Sequence, residues 1–113
     1  GDETALPAIA RRLAELPATA RAVVRAQLRN PQDQRALASA AQLDVQWVES
    51  LTEAAAALVV PAGPGYIWAA GEHSEMAALR GVLAAKPGVD AKRMRIAAYW
   101  KRGEADHHEN LTA

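Results

Sequence analysis

Leu6, Ile9, Leu13 and Leu16 recur at helical spacing, with Arg11, Arg12 and Glu15 largely off that stripe. The spacing predicts an amphipathic helix over residues 5–16. Pro7 fits only a first turn, where its missing N–H is not needed, and Pro17 ends the segment. The short β-branched run "RAVVRAQL" over residues 21–28 lies between Pro17 and Asn30-Pro31 and reads as a strand. Residues 31–41 read as a loop with a helical turn. The alternation in "DVQWVE", residues 44–49, predicts a second strand with Val45, Trp47 and Glu49 on one face and Gln46 and Val48 on the other.

Ser50 precedes an apolar run over residues 51–59, and Glu53 follows three positions on, so Ser50-x-x-Glu53 reads as a capping box for a helix. The "PAGPG" stretch at 61–65 breaks the chain. "YIWAA", residues 66–70, is a continuous apolar run, as in a strand buried on both faces. Gly71 is expected to turn the chain into a helix over residues 74–85 with Ser74 as its cap and Met76, Leu79, Val82 and Leu83 inward. Pro87-Gly88 stops it. "MRIAAYWK", residues 94–101, is the last strand, and residues 103–113 read as a polar tail. Strands alternating with helices imply a three-layer α/β domain with a parallel sheet, one domain over 1–103 and a tail over 104–113. Ligands of such sheets sit beyond the carboxyl ends of the strands. Four clusters fall there: Gly1-Asp2-Glu3-Thr4, Glu49-Ser50, Gly71-Glu72-His73-Ser74 and Lys101-Arg102-Gly103.

Composition narrows the function classes. Lys and Arg balance Asp and Glu at 13 each, so the basic field of a nucleic-acid binder is absent. There is no cysteine, which excludes disulfides, thiolate catalysis and Cys-ligated clusters. That fits a reducing compartment, and with no basic-then-apolar leader at the start a cytoplasmic location is expected. The apolar run over residues 54–62 is too short to span a membrane, so no membrane insertion is expected.

One α/β family to test is the phosphoacceptor receiver domain. Asp2-Glu3, Ser74 and Lys101 suit three of its roles, but "DVQWVES" ends in Glu49 where that family needs a phosphorylatable Asp. A second family fits better. "GDETALPAI", "YIWAAGEHSEMAALRGVL" and "AAYWKRGEA" resemble the siderophore-interacting proteins, in order and spacing, over essentially the whole chain. These are flavin-dependent ferric-siderophore reductases with a ferredoxin-reductase-like fold, and the match falls on their carboxy-terminal NAD(P)H-binding domain. The resemblance implies NADPH or NADH docking on this domain, hydride transfer to FAD on a separate flavin-binding barrel, and reductive release of iron from a ferric siderophore. It also implies a central first strand ahead of Gly1, apparently missing here. A sheet without it either closes up or borrows a strand, a second copy being one source.

By that resemblance Gly1, Asp2, Glu3 and Thr4 form the turn under the nicotinamide nucleotide, although the loop is not G-x-G-x-x-G and two acids repel a pyrophosphate. Thr4 is the expected polar contact. The plain alternative is that Asp2 and Thr4 cap the helix. Gly71, Glu72, His73 and Ser74 resemble the second nucleotide turn. Arg29, after the first observed run of strand residues, is placed for a 2′-phosphate, with Asn30 and Gln32 beside it. Tyr99 and Trp100 are placed near the flavin, and Lys101 and Arg102 near an anionic siderophore; the alternative makes the rings core and the cations solvated. His107-His108-Glu109 lacks a spaced third ligand, so no metal site is expected. No acid–base catalytic residue is expected, because hydride transfer is the cofactor's chemistry. The isolated chain is expected to be inactive. The competing class is a stand-alone, non-enzymatic interaction module on the same scaffold.

Overall fold

Leu6, Ile9 and Leu13 are all buried on one face of a helix that runs Leu6–Ala14 (α1), entered through a 3-10 turn at Glu3–Ala5. Pro7 lies in its first turn, as its lack of an N–H requires. The helix ends earlier than its apolar stripe, and Leu16 packs on the core from beyond it. The computed structural model describes residues 1–61, 63, 65–103 and 109–110. Strand β1 is Arg21–Gln27, β2 is Gln42–Val48, β3 is Ile67–Glu72 and β4 is Met94–Trp100. Helix α2 is Leu51–Ala57 and α3 is His73–Ala84. Ser50 does cap α2, its hydroxyl accepting from the Glu53 N–H at 3.2 Å.

Strand alternation sorts the core into two layers, one on each face of the sheet. Ala5, Leu6, Ile9 and Leu13 pack on Val24, Ala26, Ala70 and Ala97. On the other face Leu51 and Ala55 of α2 and Met76, Leu79 and Leu83 of α3 pack on Ala69, Met94 and Ile96. The α1 face of the sheet is largely alanine, and its short side chains leave room for the leucines and isoleucine of α1. The architecture is therefore the three-layer α/β arrangement expected, with β1 parallel to β2 and β3 parallel to β4.

The sheet comes in two pieces: β2-β1 and β3-β4-β5. Among the described residues, only Gly1 and Asp2 bridge β1 and β3. The Gln27 N–H donates to Gly1 O at 2.9 Å, the Gly1 amine donates to Arg25 O at 3.0 Å, and the Asp2 N–H donates to Ala70 O at 3.4 Å. Asp2 thus bridges Gln27 in parallel sense, as the last residue of a central strand would. The halves have not closed against each other.

Four expectations need correction. Tyr66 is exposed and outside β3, which starts at Ile67 and runs two residues past Ala70. Gly71 is consequently strand, not turn. The cap of α3 is Glu72, not Ser74, because the Glu72 carboxylate accepts from the Glu75 N–H at 3.0 Å and starts the helix one residue earlier. Within the expected polar tail, Glu109–Asn110 forms β5, antiparallel to β4 at Ala97 and Ala98, so the sheet is parallel with an antiparallel edge.

Two measurements test this layout. Met76 is fully buried, so Met76→Ala should cost about 2–5 kcal/mol and lower the urea midpoint. The hydrogen bonds above turn the N–H groups of Val23, Arg25, Trp68 and Ala70 into the gap, and none has a backbone partner among the described residues. Their amides should exchange with solvent faster than those of Val24 and Ala26, which face β2; equal protection would mean that the gap is closed.

Candidate functional site

The carboxyl ends of the two half-sheets enclose a small cavity of about 150 Å³, lined by Asp2, Glu3, Gln27, Leu28, Arg29, Glu72, Glu75, Trp100 and Arg102. Asp2 reaches it from the gap. Its Oδ1 accepts from the Thr4 N–H at 3.0 Å and from the Thr4 hydroxyl, which makes it the cap of the 3-10 turn. Its Oδ2 accepts from the Trp100 indole Nε1 at 2.9 Å, a contact between residues 98 positions apart. Gly71 lies beneath this carboxylate. A Cβ there would stand 2.8 Å from Asp2 Oδ2 and 3.1 Å from Met76 Cε, so glycine is what allows the close approach.

Glu72 holds the other wall. It is buried, with Oε1 accepting from the Glu75 N–H and Oε2 accepting from the Arg102 N–H at 3.3 Å. Burial pushes its carboxyl up. Hydrogen bonds from the backbone of Glu75, Ser74 and Arg102, with the Arg102 charge, outweigh burial and leave it below the usual glutamate value. Glu75, one turn into α3, goes the other way: burial raises it, and the Asp2 and Glu72 carboxylates raise it further against the Gly1 amine and Arg102. Its Oε1 is sealed from solvent and has no hydrogen-bond partner.

A register shift at Gly71 and Glu72 explains how Trp100 comes to this point. Gly71 pairs with Ala98 but Glu72 pairs with Trp100, so Tyr99 is an extra residue in β4. Tyr99 turns to the α1 side, edge-on to Trp68 at 6.2 Å, with the Arg12 guanidinium 4.8 Å over the Trp68 ring. Trp100 turns to the cavity, with the Arg102 guanidinium 5.9 Å from its ring.

Of the residues singled out from the sequence, the fold brings Asp2, Glu3, Arg29, Glu72, Trp100 and Arg102 together around this cavity. Glu3 and Arg29 face each other at 3.5 Å. Gly1 and Gly71 support it through the backbone. Thr4, His73, Ser74, Tyr99 and Lys101 do not line it; the Thr4 hydroxyl is taken up by Asp2. Asn30 caps its own turn, accepting from the Gln32 N–H. His107 and His108 lie outside the described residues. Among the described residues no group of three or more His, Asp or Glu side chains is arranged to hold a metal ion. No helix among them is long and apolar enough to cross a membrane. The sequence reading missed Gln27, Leu28 and Glu75. The signal for Glu75 was its place three residues after Glu72, one helical turn on.

A larger groove of about 650 Å³ lies on the α2 side of β1 and β2, with the Arg25–Asp44 ion pair at 3.3 Å, Glu49, Ser50 and Glu53 among its lining. It is open and away from the two strand ends that the cavity joins.

The sequence pattern of the siderophore-interacting protein family matches residues 1–103. Among solved structures, a siderophore utilization protein from T. fusca superposes with a TM-score of 0.82 at 27% identity, over 94% of this chain and 44% of that one. The siderophore-interacting protein SipS from Aeromonas hydrophila superposes with a TM-score of 0.80 at 27% identity, over 93% of this chain and 45% of that one. The chain thus spans less than half the length of either. No curated protein matches it.

The two glutamates make opposite predictions. Glu72, held below 4.5, adds stability that is full above 4.5 and is lost as pH falls through its folded value. Glu75, held above 4.5, adds stability that is full below 4.5 and is lost as pH rises through its folded value. At neutral pH, Glu72→Gln should therefore lower the urea midpoint and Glu75→Gln should raise it. Both differences should shrink as pH drops below the unfolded value. Shifts of the same sign at neutral pH would contradict this electrostatic layout.

Proposed function

The chain belongs to the siderophore-interacting protein family, and from that premise we propose that it is the NAD(P)H-binding domain of a ferric-siderophore reductase. The observation that carries the reading is the cavity at the strand ends, where Asp2, Glu72, Glu75, Trp100 and Arg102 converge. Parallel sheets take their ligands in this place. The full enzyme would place FAD on a barrel domain beside it and work in the cytoplasm.

The residues fit one part of a dinucleotide better than another. At about 150 Å³ the cavity suits a single ring or ribose, well short of a drug-sized pocket of roughly 300–1,000 Å³. Its carboxylates accept hydrogen bonds, and Glu75 Oε1 is an acceptor without a donor. A carboxamide N–H or a ribose hydroxyl matches that wall. A pyrophosphate does not, because Asp2, Glu3, Glu72 and Glu75 repel it. The phosphates therefore belong outside, toward the exposed Arg29 guanidinium, once Glu3 yields it. Trp100 offers a flat ring at the mouth, and Lys101 and Arg102 place two cations where an anionic ferric siderophore would approach.

The bound cofactors supply hydride transfer and then one-electron reduction of Fe(III), which is substrate and is held weakly by siderophores once it is Fe(II). The chain's own part is to bind, orient and exclude water.

Titrating NADPH into the chain and following backbone amides tests the reading. Shifts are expected at Asp2, Gly71 and Glu75 and at the Trp100 indole N–H. Silence at all four would favour the interaction module instead. Mixing the chain with FAD, NADPH and a ferric siderophore should yield no Fe(II), and sustained turnover would overturn the assignment of the flavin site to a separate domain.

A further inference from the structure

Strand β2 pairs with β1 on one side, and among the described residues no strand lies on its other side. The Gln42 N–H donates to Ala20 O at 3.1 Å, which turns Gln42 toward β1. By strand alternation Asp44, Gln46 and Val48 turn the same way, and Leu43, Val45 and Trp47 point their N–H and C=O groups outward. The far edge of the other half-sheet differs, because β5 covers β4 at Ala97 and Ala98.

Open edges are ordinarily guarded by lysine, proline, a bulge or an unpaired charge. Residues 42–48, "QLDVQWV", contain no lysine and no proline, and their register with β1 runs unbroken from Arg21–Gln42 to Gln27–Val48. Their single charge, Asp44, is paired with Arg25 at 3.3 Å. Nor does the chain repel a copy of itself, since 13 basic residues balance 13 acidic ones.

This edge is also complementary to itself. In an antiparallel pairing centred on Val45, Val45 faces the partner's Val45 and Leu43 faces the partner's Trp47. All three carry outward backbone groups, so each facing pair exchanges both of its N–H···O=C bonds. Leu43, Val45 and Trp47 are half-buried at the margin of the α1-side core, and aromatic and branched pairs across strands add to the backbone bonds. On the opposite face Asp44 meets the partner's Gln46, a carboxylate against an amide. Moving the centre to residue 44 would instead set two Asp44 carboxylates face to face.

We infer that the outer edge of β2 is a self-association surface, on which two copies of the chain pair antiparallel about Val45 into a continuous β1-β2-β2-β1 sheet across a two-fold axis. The occupant is a second copy because the order of apolar and polar positions in this strand is the order its own edge accepts. The inference is independent of the nucleotide reading, since no residue of β2 lines the cavity at the strand ends.

Gln46 is exposed, so changing it leaves the single chain folded while altering what faces the partner's Asp44. Sedimentation velocity from micromolar to millimolar chain should show a monomer–dimer equilibrium. Gln46→Asp should weaken the dimer by about tenfold, because like charges then face each other twice across the axis, and Gln46→Lys should tighten it by about the same factor. In the wild-type chain, raising the concentration should slow amide exchange at Leu43, Val45 and Trp47 and leave Val23 and Arg25 unchanged. A chain that stays monomeric at millimolar concentration would overturn the proposal. So would a dimer that responds alike to both substitutions, or one that protects Val23 and Arg25 in place of the β2 amides.

Discussion

Everything in this fold hangs on the hydrogen bonds of Gly1 and Asp2. Parallel strands pair through the backbone, and β1 and β3 do not pair with each other. The two residues at the start of the chain hydrogen-bond to both, at Arg25, Gln27 and Ala70. The same two residues begin α1, since Asp2 caps the turn that leads into it. The Asp2 side chain then reaches Trp100 at the far end of the sequence. One carboxylate thus ties the first turn, the gap in the sheet and the end of β4 into a single unit. Losing it would leave the Trp100 N–H and the turn's N–H unpaired together, and a partly satisfied polar network is worse than none.

Packing explains why that unit is so exact in its placement. Gly71 and Gly1 are both pressed against neighbours, Gly1 against Ala70 O and Ala5 Cβ and Gly71 against Asp2. Neither tolerates a side chain without movement. The bulge in β4 does the rest. By adding Tyr99 as an extra residue it leaves Trp100 opposite Glu72, while Tyr99, two residues after Ala97, keeps to the α1 face and meets Trp68. Adjacent aromatics therefore serve the core and the cavity separately.

Much of this was legible in the sequence for simple reasons. Leu6, Ile9 and Leu13 have a period, and Pro7 and Pro17 have fixed meanings, so α1 was plain. The strand cores at Val24, Ala69 and Ile96 were plain from β-branched or continuous apolar runs. Less legible were the places where a polar side chain decides. Glu72 takes the cap from Ser74 because its carboxylate is buried and pulled to three N–H groups, and no pattern of types announces that. The bulge was invisible because strand alternation assumes an unbroken register. The expectation of a central gap was sound, yet the way Gly1 and Asp2 bridge it depends on atoms rather than periodicity. Of the candidate site, the acids at Asp2, Glu3 and Glu72 were readable, while Glu75 was hidden inside what looked like the start of an ordinary helix.

The charge pattern of the cavity carries a last consequence. Phosphate-binding turns in parallel α/β proteins present backbone N–H groups and glycines to an anion. This turn presents N–H groups already bonded to Asp2 and Glu72, so their capacity for an anion is spent within the protein. What remains is free acceptor capacity at Glu75 and a cation at Arg29 that is already paired with Glu3. The cavity wall is thus rich in acceptor oxygens, with the Arg29–Glu3 pair also in its lining. In the opening "GDETALPAI" it is the Asp2 carboxylate that partners the N–H of the turn leading into α1.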